Sequence, residues 1–247
     1  MNRAVILAGG LGTRLLPYTA VIPKPLMPVG DRPILEIVMT QLAHAGFEQV
    51  TICTGYRASL VEAMIGDGSD FGVSIEYVRE DEPLGTAGAL GLIEDLEGPF
   101  LVMNGDILTD LDYRDLVSRH VSSNASLTIA TTVKRVQIGL GILRFTAPED
   151  ECRLTEYLEK PTLELEASMG VYVLSPSVLD YIDPGRRLEF PELVQRLLDA
   201  REPVTGWRSD AYWLDIGRHE DYEEAVNEFE RMRYRLLPFE QPSALVS

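Results

Sequence analysis

The sequence predicts an α/β fold, and three observations support that prediction. Short apolar runs alternate with helix-like segments through the first half of the 247-residue chain. Such alternation is typical of a mainly parallel sheet with helices on both faces. The second half has strand-like segments without a long helix between the first two, which indicates an added antiparallel section. Hydrophobic residues make up 45% of the sequence, which is enough for a large core.

The first half contributes five predicted strands separated by four helices. Residues 4–8 form a continuous apolar run, as in a strand that is buried on both faces. Residues 33–45 have helical periodicity, with Pro33 suited to the first turn and Gly46 to the exit. The same reasoning predicts strands at 49–53, 74–78, 100–103 and 126–132, and helices at 59–65, 87–96 and 113–120.

The second half is less regular. The predicted strands are 141–144, 154–158 and 170–174, and the predicted helices are 176–182, 191–200 and 220–235. No repeat, low-complexity tract or linker interrupts the sequence, so we expect one domain with two lobes over 1–247.

Composition excludes several classes of partner. The net charge of −17 disfavours nucleic acid and anionic membranes, because both need basic surfaces. Cys53 and Cys152 predict no disulfide framework, and we expect both to be small buried hydrophobes. The sequence shows no signal peptide and no apolar run of membrane-spanning length, so we expect a cytoplasmic protein.

The most informative segment is residues 7–28, LAGGLGTRLLPYTAVIPKPLMP. Three glycines, Gly9, Gly10 and Gly12, directly follow the first strand and allow backbone N–H groups to approach a ligand. Arg14 and Lys24 suit oxygen-rich anions, since one offers a flat fork of donors and the other a compact charge. The segment therefore predicts a cradle for a triphosphate.

This segment matches neither common nucleotide fingerprint. A P-loop requires lysine and then serine or threonine directly after its last glycine, but Gly12 is followed by Thr13 and Arg14. Leu15 stands where the dinucleotide pattern requires its third glycine. Glycines after a strand can be merely structural. The added Arg14, the lysine between two prolines and Gly30 favour the cradle over that alternative.

Further polar clusters follow the predicted strands, at the edge where open α/β sheets bind ligands. Residues 80–88 follow the third strand, and residues 104–106 follow the fourth. Asp106 and Asp215 are carboxylates among apolar neighbours, which are seldom buried unless paired or bound to metal. Because Mg²⁺ uses one or two carboxylates plus substrate phosphates, both are candidate ligands. Either one alone could also be an ordinary turn or cap aspartate.

Taken together, these motifs resemble the sugar-1-phosphate nucleotidyltransferases, or nucleotide-sugar pyrophosphorylases. The matching pieces keep the family order across nearly the whole chain, and they are LAGGLGTRL, PKPLMPVGDRPILE, EPLGTAGAL, NGD, EKP and WLDIG. Within that family, the motifs most resemble those of guanylyltransferases acting on mannose or heptose 1-phosphate and of some uridylyltransferases. The resemblance implies a Rossmann-like nucleotide-binding domain with a mixed, mainly parallel sheet and a small antiparallel sugar-binding section. It divides the domain into a mainly nucleotide-binding lobe (1–132), a mainly sugar-binding lobe (133–236) and a tail (237–247).

The resemblance also implies roles for individual residues. Arg14, Lys24 and Lys160 are the expected catalytic residues, and Asp106 and Asp215 the expected Mg²⁺ ligands. The expected nucleotide-binding residues are Leu7, Gly9, Gly10, Gly12, Thr13, Glu80, Gly85 and Thr86. The expected sugar-phosphate-binding residues are Asn104, Gly141, Glu159, Lys160 and Ser168.

The expected reaction joins a nucleoside triphosphate to a sugar 1-phosphate and releases pyrophosphate. A carboxylate at Glu80 can accept from guanine N1–H and N2–H₂ together, which favours GTP over UTP or dTTP. Leu140 and Ser168 depart from the tyrosine and asparagine of many relatives, which leaves the sugar open. The sequence also leaves a homo-oligomer open.

Two other classes of function compete with this interpretation. A non-catalytic nucleotide-sugar sensor could share the fold, although a degenerate subunit would be expected to lose a cation or a metal ligand. A glycosyltransferase would show an Asp-x-Asp motif. Residues 110–112 have that form, but they lie past the strand end.

Overall fold

The computed structural model describes residues 3–146 and 153–240. Its strands are β1 (Arg3–Ala8), β2 (Pro28–Val29), β3 (Arg32–Pro33), β4 (Gln49–Thr54), β5 (Ser74–Arg79), β6 (Phe100–Asn104), β7 (Ile107–Thr109), β8 (Leu127–Gln137), β9 (Ile142–Phe145), β10 (Leu154–Leu158), β11 (Thr162–Leu174), β12 (Val204–Arg208) and β13 (Trp213–Asp215). Its α-helices are α1 (Ile34–His44), α2 (Ala58–Ile65), α3 (Gly85–Gly88), α4 (Tyr113–Ser123), α5 (Phe190–Asp199) and α6 (His219–Leu236).

Seven of these strands form one mixed sheet, in the order β12-β8-β11-β6-β1-β4-β5. Strands β6, β1, β4 and β5 pair in parallel, and β12 pairs in parallel with β8. Strand β11 lies between β6 and β8 and runs antiparallel to both. The predicted mixed, mainly parallel sheet is confirmed, and so is the small antiparallel section, formed by β9 and β10.

The predicted strand at 170–174 is confirmed as an antiparallel strand, but it was predicted too short. It is the inner end of β11, which begins at Thr162 and inserts into the middle of the main sheet. Residues 169–174 are buried there, whereas most of 162–168 are exposed in a ribbon with the outer end of β8. The outer part alternates apolar and acidic residues, a strand signal that the emphasis on buried runs missed.

The predicted helix at 87–96 was wrong beyond residue 92, and only its first residues are α-helical. The chain forms the four-residue α3 and then a 3₁₀ turn at Ala89–Leu92, and it is not helical beyond that turn. Gly85, Gly88 and Gly91 explain the difference, because glycine disfavours helix interiors. The backbone of the segment packs instead against the loop before α5, where the N–H groups of Ala87 and Gly88 donate to Leu188 O.

Three buried clusters hold the layers together. Helices α1, α2 and α4 cover one face of the sheet, and α5 covers the other with the segment around Leu90. A third cluster joins α6 to the segment after the glycines, with Phe229 packed among Leu15, Met27 and Ile216. Helix α6 thereby holds the C-terminal part of the chain against the ligand-binding edge of the sheet.

The structure bears on two predictions made from composition, one about the cysteines and one about membrane-spanning segments. Cys53 is buried, as expected, and burial raises the pKa of its thiol to about 12. Cys152 lies outside the described residues. Within 3–146 and 153–240, no helix has the length and apolar character needed to cross a bilayer.

Candidate active site

The segment after β1 turns sharply at its glycines. Gly12 has a φ of 61°, a left-handed conformation that favours glycine, and its carbonyl accepts from Thr19 Oγ1 at 2.8 Å. Gly9 lies against the Glu80 carboxylate, where an added Cβ would come within 2.2 Å of Oε1. A larger residue at this position would therefore require the Glu80 carboxylate to move away from the loop.

The ammonium group of Lys24 lies close to two carboxylates that are far apart in the sequence. It pairs with Asp106 Oδ2 and lies 4.0 Å from Asp215 Oδ1. Strand β7 begins one residue after Asp106 and pairs with β13, which ends at Asp215. The N–H of Ile216 also donates to Asp106 O at 3.2 Å. A short antiparallel ladder therefore brings both predicted metal ligands to one ammonium.

Asp106 has capacity for a further contact. Its Oδ1 is buried and has no hydrogen-bond partner among the described residues. Burial, together with the negative charge of Asp106, raises the pKa of Asp215. Buried polar atoms are normally paired, so an orphaned carboxylate oxygen beside a second carboxylate marks a place for a cation.

Arg14 is an exposed cation beside this group. It forms no hydrogen bond or ion pair with any residue in the described ranges, and its charge lowers the pKa of Asp215 in opposition to burial. Its Nη1 lies 3.9 Å from the point that a Cβ on Gly217 would occupy. Because its donors are unengaged by protein, they are free for an anionic ligand.

A second polar group surrounds Glu80. Its Oε2 accepts from Leu84 N–H at 2.8 Å, and burial raises its pKa, with a smaller contribution from the nearby charge of Glu189. Glu189 Oε2 accepts from both the N–H and the Oγ1 of Thr86, each at 3.2 Å. Arg187 Nη2 donates to the other oxygen of Glu189 at 2.9 Å. The loop before α5 is thereby tied to the start of α3.

Sequence reasoning missed Arg187 and Glu189. Two signals were available, namely the Arg186-Arg187 pair and the Glu189-x-x-Glu192 spacing of a capping box. The box is formed at the start of α5, where Glu189 N–H donates to Glu192 at 3.1 Å. Neither signal indicates contact with the glycine loop, since that contact depends on tertiary packing.

Residues of both groups line one cleft of about 390 Å³, but the predicted metal ligand Asp215 is not among the lining residues. The predicted residues in its lining are Leu7, Gly9, Gly10, Gly12, Thr13, Arg14, Lys24, Glu80, Gly85, Thr86, Asn104 and Asp106. Arg187, Glu189 and Gly217 are among the residues that complete it. The cleft lies at the carboxyl ends of β1 and β6, as expected for an open α/β sheet.

The predicted sugar-phosphate residues are more scattered. Ser168 Oγ accepts from Gly170 N–H at 3.2 Å, close to Asn104. Gly141, Glu159 and Lys160 lie around the β9–β10 hairpin, outside the cleft lining. Glu159 and Lys160 are exposed, with 3.8 Å between Oε1 and Nζ. The structure does not bring these three residues to the glycine loop.

Both carboxylates of the Asp-x-Asp sequence at 110–112 are hydrogen-bonded within the protein. Asp110 accepts from Tyr212 N–H at 2.6 Å and pairs with Arg235. Asp112 caps α4 by accepting from the N–H groups of Arg114 and Asp115. These contacts account for both carboxylates without a ligand.

Comparison with known proteins places the chain in a family. A model described as nucleotidyl transferase matches residues 3–232, and the chain belongs to that family. The chain is 36% identical over 231 residues to a mannose-1-phosphate guanylyltransferase from Mycobacterium tuberculosis, an alignment covering 89% of this chain and 62% of the relative. It is 32% identical over 242 residues to a UTP–glucose-1-phosphate uridylyltransferase from Synechocystis, covering 91% and 62%. The chain therefore spans just over three fifths of the length of these relatives.

A solved structure agrees with the family assignment. HddC from Yersinia pseudotuberculosis, complexed with GMP-PN, superposes with a TM-score of 0.71 at 27% identity. The alignment covers 93% of this chain and 100% of that one.

Proposed function

We propose that the protein transfers a nucleotidyl group from a nucleoside triphosphate to a sugar 1-phosphate and releases pyrophosphate. GTP is the favoured triphosphate, with UTP and dTTP as alternatives. The observation that carries the proposal is the cleft itself, where a glycine loop, an unpaired arginine and a lysine held between two carboxylates meet.

The chain's own groups suit a displacement at the α-phosphorus. The nucleophile is an oxygen of the sugar phosphate, whose second pKa of about 6 leaves it mostly dianionic at neutral pH. No general base is therefore needed. Arg14 and Lys24 offset the repulsion between two polyanions and stabilise charge on the departing pyrophosphate. Backbone N–H groups of the glycine loop hold the phosphates in position.

Asp106 and Asp215 fit a magnesium ion. Among residues 3–146 and 153–240, no cluster of three or more metal-ligating side chains occurs. That is the pattern expected for Mg²⁺, which takes one or two carboxylates and fills its shell with phosphates and water. The orphaned Oδ1 of Asp106 is the donor that such an ion would use. When bound, the ion would neutralise phosphate charge and polarise the phosphoryl oxygens.

Glu80 supports guanine as the base. Its carboxylate lies over the glycine loop and is partly desolvated, so it can discriminate between donors and acceptors on a base edge. Guanine offers two adjacent donors, whereas uracil and thymine offer one N–H between two carbonyls. The mannose-1-phosphate guanylyltransferase relative and the GMP-PN complex are consistent with this preference.

The sugar side is proposed from Asn104, Gly141, Glu159, Lys160 and Ser168. Lys160 would orient the incoming phosphate, and Glu159 would accept from sugar hydroxyls. In this proposal residues 1–132 form mainly the nucleotide lobe and 133–236 mainly the sugar lobe, although β8 crosses that boundary.

A direct assay tests the proposal. The chain is incubated with Mg²⁺, each of GTP, UTP and dTTP, and a panel of hexose and heptose 1-phosphates, and released pyrophosphate is measured. We expect pyrophosphate release that requires both substrates and is fastest with GTP. Tight binding of a nucleotide sugar without turnover of any pair would instead indicate the non-catalytic alternative.

A further inference from the structure

Arg187 is a cation of the cleft that the triphosphate cradle does not use. The cleft cations divide by their contacts into two groups. Lys24 pairs with Asp106 and Arg14 faces Asp215, whereas Arg187 is bound to the group around Glu80 and Thr86. Arg187 therefore belongs with the residues proposed to contact the base.

The guanidinium of Arg187 is held in a definite orientation. Its Nε and Nη2 both donate to Glu189 Oε1, at 3.3 and 2.9 Å. Glu189 is itself fixed, because its other oxygen accepts two hydrogen bonds from Thr86. This arrangement leaves the Nη1 donors of Arg187 free for a ligand acceptor. The Arg187 side chain is 71% exposed, so these donors are accessible to a ligand in the cleft.

Arg187 is linked through Glu189 to Glu80, the residue proposed to contact the base. Glu189 is near enough to Glu80 for its charge to raise the pKa of that carboxyl group, and Arg187 is in direct contact with Glu189. All three residues line the same cleft. A carboxylate acceptor and an arginine donor thus line one cleft and are linked through Glu189.

This pairing complements the Watson–Crick edge of guanine. That edge presents N1–H and N2–H₂ as donors with the O6 carbonyl beside them. A carboxylate can satisfy the two donors but would repel O6, so a neighbouring donor is needed. We propose, on the basis of the function proposed above, that Arg187 donates to O6 of the bound guanine while Glu80 accepts from N1–H and N2–H₂.

Equilibrium binding tests the proposal independently of turnover. The affinities of GTP and of 2-aminopurine riboside triphosphate, which lacks both the 6-oxo group and the N1 proton, are measured with Mg²⁺ for wild type and Arg187→Met, and the effect of the substitution is compared between the two nucleotides. Methionine keeps an apolar stem and removes every donor. We expect Arg187→Met to weaken GTP by about 10- to 100-fold and the analogue by less than about threefold, since one charged hydrogen bond is lost only with GTP.

Arg186→Met is the matched control. Arg186 precedes Arg187, is exposed and does not line the cleft, so its substitution should leave both affinities unchanged. Thermal unfolding should show both variants folded, because the Arg187–Glu189 pair is largely exposed and such pairs contribute little stability.

The outcomes separate this proposal from the proposed function. Equal weakening of both nucleotides in Arg187→Met would mean that Arg187 contacts phosphates or ribose, and the proposal would be overturned. A wild type that binds GTP no better than the analogue would overturn it as well, even if the enzyme releases pyrophosphate. Selective binding of GTP through Arg187 without pyrophosphate release would support the base contact and refute the transferase.

Discussion

Two lysine–carboxylate pairs in this molecule differ in almost every physical respect. Lys24 and Asp106 lie far apart in sequence, and their side chains are only 14% and 21% exposed. Lys160 and Glu159 are sequence neighbours, with side chains 61% and 58% exposed and 3.8 Å between their charged atoms. Lys24 was predicted to contact the triphosphate and Asp106 to bind Mg²⁺, whereas Glu159 and Lys160 were predicted to contact the sugar and its phosphate. The comparison shows that residue type alone does not tell how strongly a charge will act, because burial sets the local dielectric.

The difference has a consequence for function. A buried pair is held in place by the fold, so its charges act on a ligand without further ordering. An exposed pair is screened by water and salt and must lose side-chain entropy to act. We therefore expect substitutions in the cleft to affect catalysis strongly and substitutions in the hairpin to affect it weakly.

Asp106→Asn should have the largest effect. The amide retains the shape but removes the charge that would hold Mg²⁺, and we expect kcat/KM to fall roughly 1,000-fold, with several kcal/mol of charge stabilisation lost. Asp112→Asn is the control, since asparagine also caps helices and Asp112 lies at the start of α4. Equal activity of the two variants in a pyrophosphate assay would remove Asp106 from the proposed site.

Arg14→Ala and Lys24→Ala should each reduce kcat about 100-fold, as the loss of one preorganised cationic contact typically does.

The Arg14→Ala and Lys24→Ala variants should differ in their free energy of unfolding. Arg14 has no protein partner in the described ranges, whereas removal of Lys24 leaves the Asp106 carboxylate partly buried and unpaired. We expect Lys24→Ala alone to lose roughly 1–3 kcal/mol in urea denaturation. Identical unfolding curves for the two variants would contradict the assigned burial of the Lys24 pair.

Glu80→Gln should change base preference by about tenfold. The amide can still accept from Leu84 N–H, but its NH₂ opposes the guanine donors, and a mispaired group costs ~1–3 kcal/mol. The measurement is kcat/KM for GTP, UTP and dTTP. Glu82→Gln, an exposed neighbour, serves as the control. Unchanged ratios among the three triphosphates would mean that Glu80 does not contact the base.

Lys160→Ala should have the smallest effect. We expect KM for the sugar 1-phosphate to rise about fivefold and stability to change by less than about 0.5 kcal/mol, because exposed charges contribute little. Steady-state kinetics with varied sugar 1-phosphate tests the first value and thermal unfolding the second. A 100-fold fall in kcat would instead show that Lys160 contacts the reacting phosphate during catalysis. The difference in burial between the Lys24 and Lys160 pairs would then describe only the protein without substrate.

Much of the fold and the cleft was predictable because it depends on local patterns. Apolar runs such as 4–8 and 49–53 place β1 and β4, and the carboxyl-edge rule assigns the glycine loop and Asp106 to the cleft. These features depend on side-chain periodicity and on the conformational freedom of glycine. Both can be identified from residues that are close together in the sequence.

Other features were decided only by tertiary structure. Asp106 and Asp215 meet because the three-residue strands β7 and β13 pair, and strands so short carry no periodic signal. Strand β11 lies antiparallel within the main sheet because its buried end fits between β6 and β8, a choice among pairings that local sequence does not distinguish. Arg187 reaches the cleft because the loop before α5 bonds to Thr86. In each case the energy comes from contacts between residues far apart in the chain. The sequence by itself therefore determined most of the elements and their chemistry, and packing determined which of them meet.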